Sequence, residues 1–160
     1  MRSRIGAGIA GGLIAGVIFG IMMTVMTVPT PDGGRMPMMA MVAQVVRSDS
    51  LAIGWAYHLF NSAVIGAIFG WVFGRGAAGY AGSLAKGIVY GIFWWILGGQ
   101  ILMPLFLGME PFAALQMAPM RPVAMMSLVG HVIFGAILGL AYARLRKSEP
   151  AKRGESPLIR

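Results

Sequence analysis

Cysteine is absent from the 160 residues, and acidic residues are scarce, with five Asp and Glu together. Without cysteine the chain has no disulfide, no thiolate metal ligand and no cysteine nucleophile. Charged residues make up only 11% of the sequence, whereas soluble domains average about 25%. Hydrophobic residues reach 58%, so the composition is typical of a membrane protein.

The few acidic residues also lack the patterns of known catalytic sites. Asp32, Asp49 and Glu110 all fall near predicted loop turns, and no predicted span carries a pair of carboxylates. The sequence contains no Ser-His-Asp set at a suggestive spacing, no HExxH motif and no phosphate-binding glycine loop ahead of Lys and Ser or Thr. These absences favour a protein that is not an enzyme.

Four apolar segments, by contrast, reach the ~20 residues that are needed to cross a bilayer. They are residues 5–28, 51–73, 87–107 and 123–143. The first segment is too long for the apolar core of a signal peptide and is followed by a poor cleavage site, so we expect it to be retained as a span. The sequence therefore predicts a single all-α, four-span domain over residues 1–147 and a disordered cytoplasmic tail over 148–160.

The net charge of +8 comes from basic residues with an uneven distribution. Ten of the 13 Lys and Arg lie in the N-terminus, the 74–86 loop and the C-terminal tail, whereas the other two loops hold Arg35, Arg47 and Arg121. Because positive residues accumulate on the cytoplasmic side, both termini are predicted to be cytoplasmic. The basic residues do not interleave with an aromatic face, so nucleic acid is not an expected partner.

The chain is also predicted to contain two tandem copies of a two-span unit, residues 5–73 and 87–143. Residues 12–29 align on 87–104 without a gap, and two one-residue gaps extend the alignment. The matched residues include Pro29 with Pro104, Pro37 with Pro111, and the only two histidines, His58 with His131. Since each unit crosses the membrane twice, both run in the same sense, and a pseudo-two-fold axis along the membrane normal is expected.

Glycine recurs at every fourth position along the spans, most clearly from Gly8 to Gly20 in the first. Lipid supplies no hydrophobic drive for the association of helices. Strips of small residues are therefore expected to bring the helix backbones into close contact.

Methionine is concentrated in the outer halves of the predicted spans and in the outer loops, with 13 of the 14 residues there. The outer segments 37–47 and 111–118 are predicted to form short interfacial helices that begin at proline. The first is rich in methionine, but Phe112 replaces Met38 in the second copy. This loss of sulfur favours a membrane-surface or partner-contact helix over a duplicated metal site.

Polar side chains inside spans are costly in lipid and often functional. All of them lie in the outer halves of the predicted spans and so define one polar layer. Its members are Thr24, Thr27, His58, Asn61, Ser62, Gln100, Ser127 and His131.

The two histidines are the strongest candidates for a site. Each shares a helical stripe with small or polar residues, so both imidazoles are expected to face the bundle at equal depth. Three interpretations stay open. The histidines form interhelical hydrogen bonds, or they are the two axial ligands of a b-type haem. Alternatively His58, His131, Met38 and Met41 bind copper, since imidazole and thioether both suit this metal.

Three short motifs carry a family resemblance: "GWAYH" (54–58), "MP" (103–104) and "SLVGHVIFGAILGLAYA" (127–143). The chain resembles small bacterial four-span integral membrane proteins that are classified as a domain of unknown function. Those proteins show a similar Gly-Trp-x-x-His in one span and Gly-His-x-x-x-Gly in the last. The resemblance covers most of residues 8–143. It implies the four-helix fold and places His58 and His131 in the family pattern, and it implies no activity.

The sequence leads to two expectations about function. The first is a non-catalytic scaffold or accessory subunit without a cofactor. It would lie in the lipid bilayer of the bacterial inner membrane, beside other membrane subunits or further copies of itself. The alternative is a protein that binds haem b or copper through His58 and His131, with the site between spans 2 and 4 near the outer face.

Overall fold

Long helices make up most of the structure, a computed structural model that describes residues 3–30, 32–74 and 79–147. Four helical stretches are long and apolar enough to cross a membrane: Arg4–Val25, Leu51–Phe73, Tyr80–Phe106 and Ala118–Arg146. The prediction of four spans is therefore confirmed, and the chain has the character of a multi-pass membrane protein. The predicted tail, 148–160, lies outside the described residues.

The third span is less regular than the others. The elements in chain order are α1 (Arg4–Val25), β1 (Thr27–Pro29), β2 (Arg35–Pro37), α2 (Met38–Val45), α3 (Leu51–Phe73), α4 (Tyr80–Trp94), a π-helix (Trp95–Leu102), α5 (Met103–Phe106), α6 (Ala113–Gln116), a 3₁₀ turn (Ala118–Met120) and α7 (Arg121–Lys147). The third span thus consists of α4, the π-helix and α5 in one continuous run. It begins at Tyr80, seven residues before the predicted start.

A two-stranded antiparallel hairpin follows α1, an element that the all-α prediction lacked. β1 pairs with β2, and Thr27 lies opposite Pro37. Pro29 lacks the N–H donor that a continuing helix would need. Gly33 has a φ of +84°, a conformation that favours glycine, and its N–H donates to the Thr30 carbonyl at 3.0 Å. The chain therefore turns back in an ordered strand pair and leads into α2.

The helices pack as two helical hairpins, α1 with α3 and the third span with α7, and α1 also packs along α7. Each helical hairpin closes at glycine. A Cβ atom added at Gly66 would lie 2.2 Å from the carbonyl oxygen of Gly8, and one added at Gly135 would lie 2.1 Å from that of Gly87. These distances are shorter than any van der Waals contact, so no side chain fits at these crossings.

Residues 26–30, 32–50 and 107–120 cover one end of the bundle, which we call the capped end. α2 lies there and packs on α3. Met38 is buried and Met39 has no exposed surface. The expectation of a methionine-rich helix that presents its side chains to the membrane surface or to a partner is therefore corrected at these two residues, because they fill the core. In place of the helix predicted over 111–118, the structure has the single turn of α6.

Aromatic side chains join the two helical hairpins in the half of the bundle away from the capped end. The ring centroid of Phe69 lies 5.3 Å from that of Tyr90 and 5.4 Å from that of Tyr142. The Tyr90 hydroxyl donates a hydrogen bond to the Ile65 carbonyl at 2.8 Å and so connects α4 to α3. This half of the bundle is closed, and any internal site must lie nearer the capped end.

Candidate functional site

A cavity of about 270 Å³ lies between α3 and the third span, in the half of the bundle nearest the capped end. We call it the cleft. Val64, Leu102 and Phe106 line it and are also exposed, so its mouth opens on the lateral surface of the bundle. Most of the other lining side chains are apolar, and six of them are methionines: Met23, Met38, Met41, Met103, Met109 and Met120.

Most of the sequence-predicted polar layer converges on this cleft. The polar side chains that line it are His58, Asn61, Ser62, Gln100, Ser127 and His131. Met38 and Met41, the sulfur ligands of the copper hypothesis, line it as well. Thr24 is not brought there, and its hydroxyl donates to the Gly20 carbonyl at 2.9 Å.

His58 bridges two helices. Its Nε2 atom lies 2.8 Å from the carbonyl oxygen of Gly16 on α1, and the residue is buried. A carbonyl oxygen can only accept, so Nε2 carries the proton and Nδ1 is the unprotonated nitrogen. Ser62, one turn later on α3, donates its hydroxyl hydrogen to the His58 carbonyl at 2.8 Å.

His131 makes a different bond from its repeat counterpart. Its Nδ1 atom lies 2.8 Å from the carbonyl oxygen of Ser127, one turn earlier on the same helix. Nδ1 therefore carries the proton, and Nε2 is an acceptor. This Nε2 atom has no hydrogen bond within the described residues.

Phe19 of α1 packs against both imidazoles. Its ring centroid lies 5.7 Å from that of His58 and 4.8 Å from that of His131, edge-on in both cases. Sequence reasoning did not single out Phe19, because its place beside the histidines depends on how α1 crosses α7. A haem held by the Nε2 atoms of both histidines would require His58 to break its hydrogen bond to the Gly16 carbonyl. The Phe19 ring would also have to move away from the two imidazoles.

The irregular third span is built around a proline. Pro104 has no N–H and cannot donate to the Gln100 carbonyl four residues earlier. The N–H of Phe112 donates to that carbonyl instead, at 2.7 Å. Phe112 has a φ of +62°, which a bulky residue seldom adopts. The hydrogen bond from Phe112 in the loop thus holds the widened turns of Trp95–Leu102. π-Helical turns occur frequently at functional sites.

The π-helix places the Gln100 side chain in the wall of the cleft. Gln100 is only 1% exposed, and its Oε1 atom has no hydrogen-bond partner among the described residues. A buried polar atom left unpaired costs about 1–3 kcal/mol. The polarity of Gln100 was visible in the sequence, but its lack of a partner depends on the tertiary packing.

A metal in the cleft would depend on His and Met ligands. Within 3–30, 32–74 and 79–147, no group of three or more His, Asp or Glu side chains is arranged to hold a metal ion. Imidazole and thioether are ligands that suit copper, and both types line the cleft.

Fold and cleft together define a class: a four-span membrane protein that has a cavity between two helical hairpins. Within that class the chain belongs to DUF6789, a family of unknown function, which residues 2–153 match. The predicted resemblance to a family classified only as a domain of unknown function is confirmed to that extent. No curated protein and no solved structure matches the chain.

Proposed function

We propose that the protein is a non-catalytic accessory or scaffold subunit of a larger membrane assembly. In this role it binds a small, largely apolar molecule in its own cleft. The observation that carries this proposal is a cavity of about 270 Å³ with a lateral mouth. Ligand sites are typically concave and mostly apolar, with a few placed polar groups and volumes from about 300 Å³ upward. The volume of the cleft lies just below the lower end of that range.

The methionine lining supports a binding role. Met has three rotatable bonds and a polarizable sulfur, so it adapts its shape to different partners and is common at adaptable binding surfaces. Met38 packs in the core cluster, whereas Met41 is half-buried beside it. The wall of the cleft therefore combines fixed and adjustable side chains.

The charge distribution supports an orientation for the site. Ten of the 13 basic residues lie on the side of the termini and the 74–86 loop. By the positive-inside rule, both termini face the cytoplasm of a bacterial inner membrane. The capped end then faces outward, and the mouth of the cleft opens to the outer leaflet. Apolar molecules dissolved in that leaflet can reach it by lateral diffusion.

Corresponding glycine contacts support the proposal that the two helical hairpins are tandem copies related by a pseudo-two-fold axis. A Cβ atom at Gly66 would lie 2.2 Å from the Gly8 carbonyl oxygen. At the aligned positions of the second copy, a Cβ atom at Gly139 would lie 2.2 Å from the Ser83 carbonyl oxygen. The same crossing is therefore made twice, although serine stands in place of one glycine.

A matched backbone hydrogen bond supports the duplication independently. The N–H of Met38 donates to the carbonyl of Met26 at 2.8 Å, and the N–H of Phe112 donates to that of Gln100 at 2.7 Å. The two donors are aligned, because each is the residue after the matched Pro37 or Pro111, whereas Gln100 lies one residue before Ile101, which aligns with Met26. Each ties the residue after that proline to the end of the preceding span.

Cofactor binding is the second candidate function. It is favoured by the convergence of His58, His131, Met38 and Met41 on one cleft and by the unpaired Nε2 of His131. Haem b and copper are the two candidate cofactors. Both compete with the apolar molecule for the same space.

Binding of an apolar probe tests the leading proposal. Tritiated 2-methoxynaphthalene should bind saturably to the protein in lipid nanodiscs after subtraction of binding to empty nanodiscs. Val64 lies at the mouth of the cleft, whereas the exposed Val89 of α4 does not line it. Val64→Trp should weaken binding at least about tenfold, and Val89→Trp should leave it unchanged. Binding that never saturates contradicts the proposal.

A reduced-minus-oxidised absorption spectrum tests the second candidate. The protein purified from cells supplied with haem precursor should show sharp alpha and beta bands that are lost in His131→Leu. For the copper alternative, bound copper should remain after a chelator wash, and the copper content per protein should fall in His131→Leu. A flat spectrum together with metal-free protein contradicts cofactor binding and leaves the apolar probe as the remaining test.

A further inference from the structure

We propose that the molecule bound in the cleft is a neutral alcohol or phenol with an apolar body, whose hydroxyl group donates a hydrogen bond to Gln100 Oε1 or His131 Nε2. This inference rests on the proposed function and adds the chemistry of the ligand. It is drawn from three observations: two hydrogen-bond acceptors have no donor, no charged side chain among the described residues lines the cleft, and both acceptors lie in the cleft.

Gln100 supplies the first acceptor. Its side chain is 1% exposed and lines the cleft, yet its Oε1 atom has no hydrogen-bond partner in the described part of the chain. Buried polar side-chain atoms normally have a partner, so an exception calls for an explanation. A hydroxyl group brought by the ligand supplies the missing donor.

His131 supplies the second acceptor. Its Nδ1 atom is committed to the Ser127 carbonyl at 2.8 Å, so the proton of the neutral ring is on Nδ1 and the lone pair is on Nε2. This assignment does not depend on which way an amide group is oriented. His58, in contrast, uses its Nε2–H to bind the Gly16 carbonyl at 2.8 Å.

The two acceptors lie on neighbouring walls of the cleft. Gln100 follows Gly99, and a Cβ atom at Gly99 would lie 3.7 Å from His131 Cε1 and 3.9 Å from Ser127 Oγ. The π-helix therefore packs directly against the imidazole of α7. The polar end of a ligand placed here meets both walls, while its body lies among the methionines.

The lining also selects against other ligand classes. No Lys, Arg, Asp or Glu in the described ranges lines the cleft, so an ionised head group would be buried without a counter-charge, which is costly. Ketones, esters and ethers carry acceptors only. They could accept from the Trp94 Nε1–H, a buried donor in the lining that also has no hydrogen-bond partner among the described residues, but they would leave both Gln100 Oε1 and His131 Nε2 unpaired. A neutral hydroxyl compound carries no charge, and its hydroxyl group supplies a donor to one of these two acceptors.

A matched probe pair tests the inference. 2-Naphthol and 2-methoxynaphthalene have the same apolar body, but only the first donates a hydrogen bond. In nanodiscs, the wild-type protein should bind 2-naphthol about tenfold more tightly than 2-methoxynaphthalene, which corresponds to one neutral hydrogen bond. Competition against tritiated 2-methoxynaphthalene measures both affinities.

Gln100→Met, which keeps the length of the side chain and removes the amide, should reduce that preference for 2-naphthol over 2-methoxynaphthalene. Gln116→Met is the matched control at an exposed residue and should behave as wild type. Equal binding of the two probes by the wild-type protein overturns this inference and leaves the proposed function intact. Failure of both probes to bind saturably overturns both. The wild-type comparison decides these outcomes even where Gln100→Met does not fold.

Discussion

Two seams join the same pair of helical hairpins, and only one of them is closed. Along the α1–α7 seam, Ala7 and Ala15 have no exposed surface, and a Cβ atom at Gly11 would lie 3.2 Å from the Leu138 side chain. At Gly130 the Phe19 ring packs so tightly that a Cβ atom would lie 2.2 Å from it. Small residues here let the two helices meet along their length.

Larger side chains occupy the seam between α3 and the third span. In the repeat alignment, Tyr90 stands where α1 has Ala15, and Tyr57 stands where α7 has Gly130. Tyr90 closes the half away from the capped end through its bond to Ile65, whereas Tyr57 lines the cleft. The comparison shows that side-chain volume at a few positions decides which seam keeps a cavity.

The largest effect is expected from a methyl group added to the closed seam. Gly130→Ala forces the Phe19 ring to shift and should lower the free energy of unfolding by about 2 kcal/mol, in the range for overpacked cores. Gly99→Ala is the matched change in the open seam, where the nearest atom would lie 3.6 Å away; it should be neutral or slightly stabilising. Unfolding in SDS measures both, and equal losses would remove the distinction between the seams.

A smaller effect is expected when a substitution at Pro104 restores the backbone N–H donor that the third span lacks there. In Pro104→Ala, the new N–H can bond to a carbonyl of the preceding turn, so the π-helix should tighten. Phe112 would then lose its acceptor, the Gln100 carbonyl. Hydrogen exchange at the Phe112 amide should become about tenfold faster, equivalent to about 1.4 kcal/mol. Pro119→Ala, in the 3₁₀ turn, is the control, and an unchanged exchange rate at Phe112 would contradict this account of the π-helix.

The two histidines should differ modestly in their contribution to stability. His58 connects α1 to α3 through Gly16, whereas His131 bonds within its own helix. Interhelical hydrogen bonds in membranes are worth about 0.6 kcal/mol on average. His58→Leu should therefore destabilise by about that amount and His131→Leu by less, as measured by SDS unfolding. The reverse order would show that His131 has a partner across the seam.

The smallest effect is expected in the β-hairpin of the capped end. The hydroxyl of Thr30 and the N–H of Gly34 bond to Asp32 and hold the pKa of its carboxyl below the ordinary value. Because this pKa is lower in the folded state, the ionised carboxyl stabilises the turn at pH values above the unfolded-state pKa, near 3.9. The stabilisation is lost as the pH falls through the folded-state pKa.

Hydrogen exchange at Gly34 should therefore show extra opening below about pH 4, after correction for the intrinsic rate. Asp32→Asn should abolish that pH dependence. Probe binding at neutral pH should be the same in both proteins, because the turn does not line the cleft. A variant that keeps the same pH dependence would contradict the role of Asp32.

Much of the candidate site was accessible from the sequence, because polar residues in apolar spans are conspicuous. The predicted polar layer had eight members. Thr24 and Thr27 do not line the cleft, and the six that do are His58, Asn61, Ser62, Gln100, Ser127 and His131. What the sequence did not indicate was Phe19. It is an ordinary apolar residue of α1, and its contacts with both imidazoles follow from the crossing with α7.

The sequence by itself determined the four spans, because length and hydropathy suffice to place a helix in lipid. It did not indicate the π-helix of the third span, although Pro104, which lacks a backbone donor, stands two residues after the end of that helix. Only the tertiary structure decided that Met38 turns into the core, that the two histidines take different partners, and that Gln100 is left with an unpaired oxygen. Those outcomes depend on the distance between helices, which is set by side chains far apart in the chain and cannot be read from any one segment.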